Sequence, residues 1–384
     1  MQFEFSTASR IIFGSGRINL LAELAIQYGQ KALIISGVPS KIHDKLVGIL
    51  ESKQIRCISI EVHQEPSTDD IAQALQFARE VDPSLVVGLG GGSALDSAKS
   101  IAALLSNPGE VMDYLEVIGA GKPLINPPLP LIAIPTTAGT GSEVTKNAVI
   151  YSPSHNVKVS LRSIHLLPQV VIVDPQLCIS LPQDVTATTG LDALTQLIEA
   201  YLCNTPNPIT DALCLAGIQH VSLSLHLAYD HGDDLPARED MSLAALLSGM
   251  ALANARLGAV HGLAGPIGGI IPAPHGAICA ALLANVLETN LMLLRSHSSD
   301  HPILQRYKII GKLLNDDQTA PTESGIQWVR HFCQHAHIHT LSALGLDESM
   351  FPAVIEKAVI SSSMKGNPVP LSAEQLRILL QRSL

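Results

Sequence analysis

Aromatic residues make up only 3% of the 384-residue chain, with a single tryptophan. So few stacking surfaces leave little with which to hold nucleic-acid bases. Charged residues are also sparse, at 15%, and the acidic ones prevail to give a net charge of −10. That balance argues against nucleic acid or an anionic membrane as partner. The six cysteines (Cys57, Cys178, Cys203, Cys214, Cys279 and Cys333) include no Cys-x-x-Cys pair. They read as reduced, mostly buried thiols of a cytoplasmic protein. Met1-Gln2-Phe3-Glu4-Phe5 has neither the basic start nor the apolar core of a secretory signal. Unbroken apolar runs of about 18 residues are absent as well. Residues 242–287 come nearest, but Asn254, Arg256, His261, Pro266, Pro272, Pro274 and His275 interrupt them, so buried helices are expected rather than a membrane span.

What is present points to a globular protein. An apolar fraction of 47% over this length suffices for a large core and two domains. In the first half, residues 31–37, 57–62, 84–89, 129–134 and 170–175 are short apolar runs, the mark of buried parallel strands. Residues 5–13 read as a strand or two short ones, and residues 18–28 have helical spacing. Ser40 and the group Ser67-Thr68-Asp69-Asp70 are candidate caps for the helices that follow them. Residues 149–151 and 157–161 resemble a hairpin. Strands alternating with helices predict a parallel α/β sheet. Beyond about residue 180 only helical patterns remain, which places a domain boundary near Ser180-Leu181-Pro182.

Four stretches carry chemistry. The run 84–89 leads into Gly90-Gly91-Gly92-Ser93 and then a helix. Bare N–H groups there favour a phosphate, although a tight strand-to-helix turn also explains the glycines. The run 129–134 ends in Pro135-Thr136-Thr137-Ala138-Gly139-Thr140-Gly141-Ser142-Glu143, small hydroxyl residues where open α/β sheets bind ligands. Lys158 on the hairpin offers a cation to the same region, with a solvated lysine as the alternative. Asp192 and Gln196 share a helix face, and an apolar setting asks for a cation to compensate Asp192; an N-cap role is the competing reading. His261 and His275 flank a segment whose glycines and prolines break helices; taken alone the stretch reads as two histidines in a tight apolar turn, with a metal ion held between both imidazoles as the alternative. By contrast, residues 331–339, with His331, Cys333, His335, His337 and His339, read as a polar helix face or loop; on a helix, His331 and His335 share one face and Cys333 and His337 another.

These motifs, in this order, resemble those of the iron-containing (group III) alcohol dehydrogenase family, from Gly90-Gly91-Gly92-Ser93 with Asp96 and Lys99 through Asn367-Pro368. The resemblance implies an N-terminal dinucleotide-binding α/β domain with a parallel sheet over residues 1–180. It implies an all-α metal and substrate domain over 181–384, the architecture shared with dehydroquinate synthase. It also implies an NAD(P) cofactor, a divalent metal (Fe2+ or Zn2+), a small alcohol or aldehyde as substrate, and a homodimer or higher homo-oligomer. Carried over by position, cofactor contacts fall on Gly37, Ser40, Lys41, Gly91, Gly92, Ser93, Asp96, Thr136, Thr137, Thr140 and Lys158. Metal ligands fall on Asp192, Gln196, His261 and His275. Three departures stand out. Gln196 and Gly265 occupy places where the family usually has histidine, and Gly37 stands where NAD-selective members often carry an aspartate. An amide oxygen is a weaker donor than imidazole, and without a histidine at 265 no side chain is assigned to proton transfer. The expected reaction is hydride transfer between nicotinamide and an alcohol or aldehyde. A metal-independent reductase resembling maleylacetate reductases, a non-redox enzyme resembling dehydroquinate synthase, and a cofactor-binding protein without catalysis are the alternatives.

Overall fold

The apolar runs of the first half form parallel strands in a computed structural model of the chain, which describes residues 2–384. The elements are β1 (Ile11–Phe13), α1 (Leu21–Ala25), β2 (Lys31–Ser36), α2 (Ser40–Glu51), β3 (Arg56–Glu61), α3 (Thr68–Val81), β4 (Leu85–Gly90), α4 (Gly92–Ser106), α5 (Val111–Tyr114), β5 (Leu131–Pro135), β6 (Asn147–Ser152), β7 (Val157–Arg162) and β8 (Val170–Val173). Six of them make a sheet in the order β1-β8-β5-β4-β2-β3, parallel throughout. β4, β5 and β8 are buried along their whole length, as strands covered on both faces must be. β3, at the edge, is largely half-buried or exposed. β6 and β7 form the separate antiparallel hairpin.

The sheet order turns around between β2 and β4: the chain builds outward to β3 on one side and through β5 and β8 on the other. Open α/β sheets bind ligands at the carboxyl ends of strands flanking such a point. Here those ends are Ser36-Gly37 and Gly90. Gly90 has φ +148, and a Cβ there would lie 2.8 Å from the Ala94 Cβ and 3.2 Å from the Gly37 backbone nitrogen. Any side chain would therefore close the crevice. At the other edge β1 registers on β8, Ile11 against Val171. The Asp174 carboxylate then accepts the backbone N–H groups of Gly16 and Ile18, both at 3.0 Å.

Three local expectations change. Residues 5–13 contain only the three-residue β1, and residues 18–28 split into a 3-10 turn (Arg17–Leu20) and the short α1. Ser40 makes no capping bond; Pro39, with ψ 150, already holds the extended conformation that precedes a helix, and Ser40 is the first helical residue. Ser67 does cap α3, in a reciprocal box with Asp70.

The helical unit spans Leu181–Leu384 and takes in the described residues before Ser6, while Ser6–Ser180 forms the sheet unit. Its helices are α6 (Gln183–Leu202), α7 (Pro208–Asp230), α8 (Leu235–Asn254), α9 (Ala259–Ile270), α10 (His275–His297), α11 (Pro302–Asn315), α12 (Ser324–His335), α13 (Phe351–Ile360) and α14 (Ala373–Ser383). The glycine- and proline-rich segment expected to be a turn is mostly helix: α9 carries Pro266 inside it, and only 271–274 separate it from α10. A glycine costs a helix about 1 kcal/mol, and burial of Val260, Leu263, Ala264 and Ile267 offsets it. By length and composition α7 and α10 are apolar enough to cross a membrane, which a search for unbroken runs misses because Asn285, Glu288 and Asn290 interrupt α10. Within the unit, 61% of the most apolar window of α10 is buried, against 39% for α7.

Candidate metal centre and nucleotide cradle

Asp192 and Gln196 lie one turn apart on α6, with Glu199 on the following turn, and all three are buried. His261 is the third residue of α9 and His275 the first of α10. The start of α10 sits tightly on α6, because a Cβ at Gly276 would be 2.7 Å from the Thr188 carbonyl oxygen. This brings Asp192 Oδ1 within 3.6 Å of His261 Nε2 and 3.9 Å of His275 Nε2. Cys279, one turn beyond His275, places its Sγ 3.6 Å from His275 Nε2. One donor atom from each of the four lies within 4.8 Å of the others. A tetrahedral ion with bonds of 2.0–2.3 Å separates its ligand atoms by roughly 3.3–3.8 Å.

Two of these atoms are orphans. Among the described residues, Asp192 Oδ1 and His261 Nε2 are buried and have no hydrogen-bond partner; their mutual 3.6 Å is too long for one. An acceptor oxygen and an imidazole nitrogen left unpaired at such depth are costly, and a divalent cation satisfies both. The tautomer fits as well. His261 Nδ1 faces Glu199 Oε2 at 2.7 Å, and the Val260 backbone N–H donates to Glu199 Oε1 at 2.6 Å. A carboxylate on Nδ1–H directs the Nε2 lone pair at the ion and raises its basicity. Glu199 needs room for this: a Cβ at Gly258 would lie 2.8 Å from its Oε1. Asn367 steadies the same corner, its Oδ1 accepting from the Ala259 N–H at 3.1 Å.

Electrostatics point the same way. Burial opposes charge on both Asp192 and His261, but they hold each other ionised. The histidines and the Cys279 thiol keep the Asp192 carboxyl below its usual range. For His261, burial is outweighed by Asp192 and Glu199, which push it up to about 9. Positive charge is thus favoured between two buried carboxylates.

Gln196 is placed differently from the other three expected ligands. Its amide nitrogen donates to Asp192 Oδ2 at 3.1 Å, while its oxygen accepts from the Ser248 hydroxyl at 2.8 Å. It orients Asp192 from behind, leaving Oδ1 turned to the histidines. Cys279 was missed, though its signal is the i, i+4 spacing from His275, visible once residues 275–279 are helical. Glu199 stood within the motif without a role.

In the sheet unit, Gly91 precedes α4 and Gly92 opens it. A Cβ at Gly91 would be 3.2 Å from Thr137 Cγ2, and one at Gly92 3.0 Å from Thr140 Cγ2. The two glycines and two threonines therefore form one surface at the N-terminus of a 15-residue helix, the geometry that takes a phosphate. Thr136 is buried, and Ser93 half-exposed. Gly37, Ser40 and Lys41 are exposed at the end of β2 and the start of α2. Asp96 and Lys158 have other engagements. Asp96 Oδ1 accepts from Ser142 Oγ at 2.5 Å and Oδ2 from the Val149 N–H at 2.9 Å. Lys158 forms an ion pair with Glu65. Beneath them Lys99 is fully buried and donates to Ser142 Oγ, Thr145 Oγ1 and the Asn147 carbonyl at 2.8–2.9 Å. Burial pulls its ammonium below the ordinary value and pushes the Glu143 carboxyl up to about 7.

Residues 8–175 match the family described as iron-containing alcohol dehydrogenase, and residues 186–384 match the C-terminal part of the Fe-containing alcohol dehydrogenase family. The chain belongs to the iron-containing alcohol dehydrogenase family. Among its relatives, alcohol dehydrogenase 4 of Saccharomyces cerevisiae is 34% identical, over 97% of this chain and 96% of its own. The 1,3-propanediol dehydrogenase of Klebsiella pneumoniae is 31% identical, over 99% and 98%. A solved 1,3-propanediol oxidoreductase superposes with a TM-score of 0.92 at 30% identity, covering 100% of both chains. This iron-containing alcohol dehydrogenase is thus an oxidoreductase with a parallel-sheet α/β half and a helical half. At Gly265, an added Cβ would meet nothing within 4 Å, so α9 leaves open the space where family members often carry histidine.

Proposed function

We propose that this chain is a divalent-metal-dependent, NAD(P)-linked dehydrogenase that interconverts small uncharged alcohols and aldehydes. The observation that carries the reading is the pair of buried, unpartnered atoms, Asp192 Oδ1 and His261 Nε2, turned toward each other across 3.6 Å. Asp192, His261 and His275 would hold the ion, with the Cys279 thiol in reach as a fourth donor. Carboxylate and imidazoles suit Fe2+ or Zn2+, and a thiol tips the set toward Zn2+. When bound, the ion supplies Lewis acidity at the substrate oxygen, and the nicotinamide supplies the hydride chemistry. The protein's own contribution is positional. Glu199 fixes the His261 ring, Gln196 fixes Asp192, and the Gly91–Gly92 surface with Thr137 and Thr140 seats the pyrophosphate at the start of α4.

No carboxylate stands at Gly37, and Ser40 and Lys41 lie exposed just beyond it. That arrangement supports NADP(H) as well as NAD(H), since nothing at position 37 repels a 2′-phosphate. Six free thiols favour a reducing, cytoplasmic setting. Exposed Leu223 and Leu227, one turn apart on α7, support self-association of the chain. The deciding experiment removes metal with a chelator and follows NADH or NADPH consumption with a panel of aldehydes. Activity should vanish and return with Zn2+ or Fe2+; full activity without metal would instead favour the maleylacetate-reductase-like reading.

A further inference from the structure

The histidine-rich segment 331–339 is not absorbed by the dehydrogenase site. α12 ends at His335, and His337 lies past the helix with φ +51, so Cys333 and His337 share no helix face. His335 finds its partners on α7 instead. Its Nε2 lies 2.7 Å from Asp230 Oδ1, and its ring centroid is 5.3 Å from that of His226. His226 and Asp230 are four residues apart and share a face of α7. One donor atom from each of the three lies within 4.8 Å of the others.

We propose that His226, Asp230 and His335 form a second metal site, which takes one borderline divalent cation of the Zn2+, Ni2+ or Cu2+ class and clamps α12 to α7. Two imidazoles and a carboxylate are the donors such cations prefer. Tetrahedral bonds of about 2.1 Å place ligand atoms roughly 3.4 Å apart, so the set closes with at most about 1.4 Å of movement in partly exposed side chains. An independent feature favours a cation here. Asp230 is the last residue of α7, and His335 the last of α12. Two helix C-termini, each with partial negative charge, therefore converge on the cluster. The rings are also held in place. His226 meets Trp328 and Phe332 edge-on at 5.5 and 4.9 Å, and Tyr229 packs against His335 at 5.5 Å. On binding, the proton that His335 Nε2 donates to Asp230 moves to Nδ1, and the freed lone pair takes the ion. The remaining positions go to water.

Trp328 is the chain's single tryptophan, and its place beside His226 provides the readout. Cu2+ or Ni2+ is titrated into the metal-loaded enzyme while tryptophan emission is followed, with Zn2+ as a non-quenching competitor. Saturable quenching is expected, reversed by Zn2+. His335→Asn and Asp230→Asn should each shift the midpoint by about tenfold or more, since a direct ligand is worth at least as much as a supporting one. Alcohol oxidation should be unchanged in both. The half-exposed His220–Asp240 pair has no third His, Cys, Asp or Glu donor among the described residues, so His220→Gln should leave the titration as it is. Quenching that never saturates, or a midpoint that moves in neither ligand variant, overturns the proposal.

Discussion

The two candidate sites solve opposite problems. In the nucleotide cradle the charged groups are already spoken for. Both oxygens of Asp96 accept hydrogen bonds, Lys99 donates three, and Lys158 pairs with Glu65. What the cradle presents is backbone, exposed by glycine beside threonine methyls. The metal centre presents side chains, two of them with buried atoms left unmatched. A site made of backbone can be finished on folding, since N–H groups at a helix start are tolerable in water. A site made of ligand atoms cannot be finished without its ion. Folding alone should therefore complete the first site, while the second waits for a cation.

Substitutions can break this contrast, and the largest effect is expected at Asp192. Asp192→Asn removes the anionic ligand, and turnover should fall on the order of 10³-fold, several kcal/mol of charge stabilisation. Bound metal, measured by elemental analysis, should fall with it, while the far-ultraviolet circular dichroism stays native. Retained metal with native turnover would mean that the ion is not held at this point. Next comes Glu199→Gln, which keeps the shape but weakens the hold on His261 Nδ1. Metal affinity should drop roughly 10- to 100-fold, read by chelator competition.

Acidity offers a subtler probe. His261 is pushed up to about 9 in the metal-free protein, so the ion must displace its proton. Because the raised value favours the protonated metal-free form, this stabilisation is in full force below about 6.5 and fades as pH rises through about 9. Metal affinity should run the other way, rising about tenfold per pH unit from 6.5 toward 9. A flat profile would show that His261 is neutral before the ion arrives. The smallest effect belongs to the cradle. Gly92→Ala places a Cβ 3.0 Å from Thr140 Cγ2, a crowding of about 1 kcal/mol. The cofactor KM should rise roughly fivefold, with kcat and metal content unchanged. If metal content also fell, the two sites would not be independent.

Much of this was legible in residue order, and the exceptions share a cause. Strands β2, β4 and β5 announce themselves as apolar runs closed by glycine or proline, because strands buried on both faces leave no other pattern. Asp192, His261 and His275 stand out as a candidate set only through family resemblance; each alone fits an ordinary core or cap. Residues 259–270 were misread because helix propensity is a local quantity, whereas α9 is held by the burial of its own apolar side chains. That misreading hid Cys279, since its relation to His275 exists only once the helix does. Gln196 is an expected ligand by position, and the bonds of its two ends to Asp192 and Ser248 become visible only in three dimensions. The partners of His335 lie more than a hundred residues away, at 226 and 230, where no spacing rule reaches.

The pairing of β1 with β8 carries a consequence for synthesis. The first strand, at residues 11–13, has its only sheet neighbour among the described residues at 171–173, and the turn after it is fastened by Asp174. On the ribosome that strand is made first and must wait for some 160 residues to follow, roughly ten to thirty seconds at ordinary rates of elongation. During that interval β2, β4 and β5 can associate while the opening segment stays loose. The beginning of the chain is thus the last piece to join the sheet, and closing this edge marks the moment at which the sheet unit is complete.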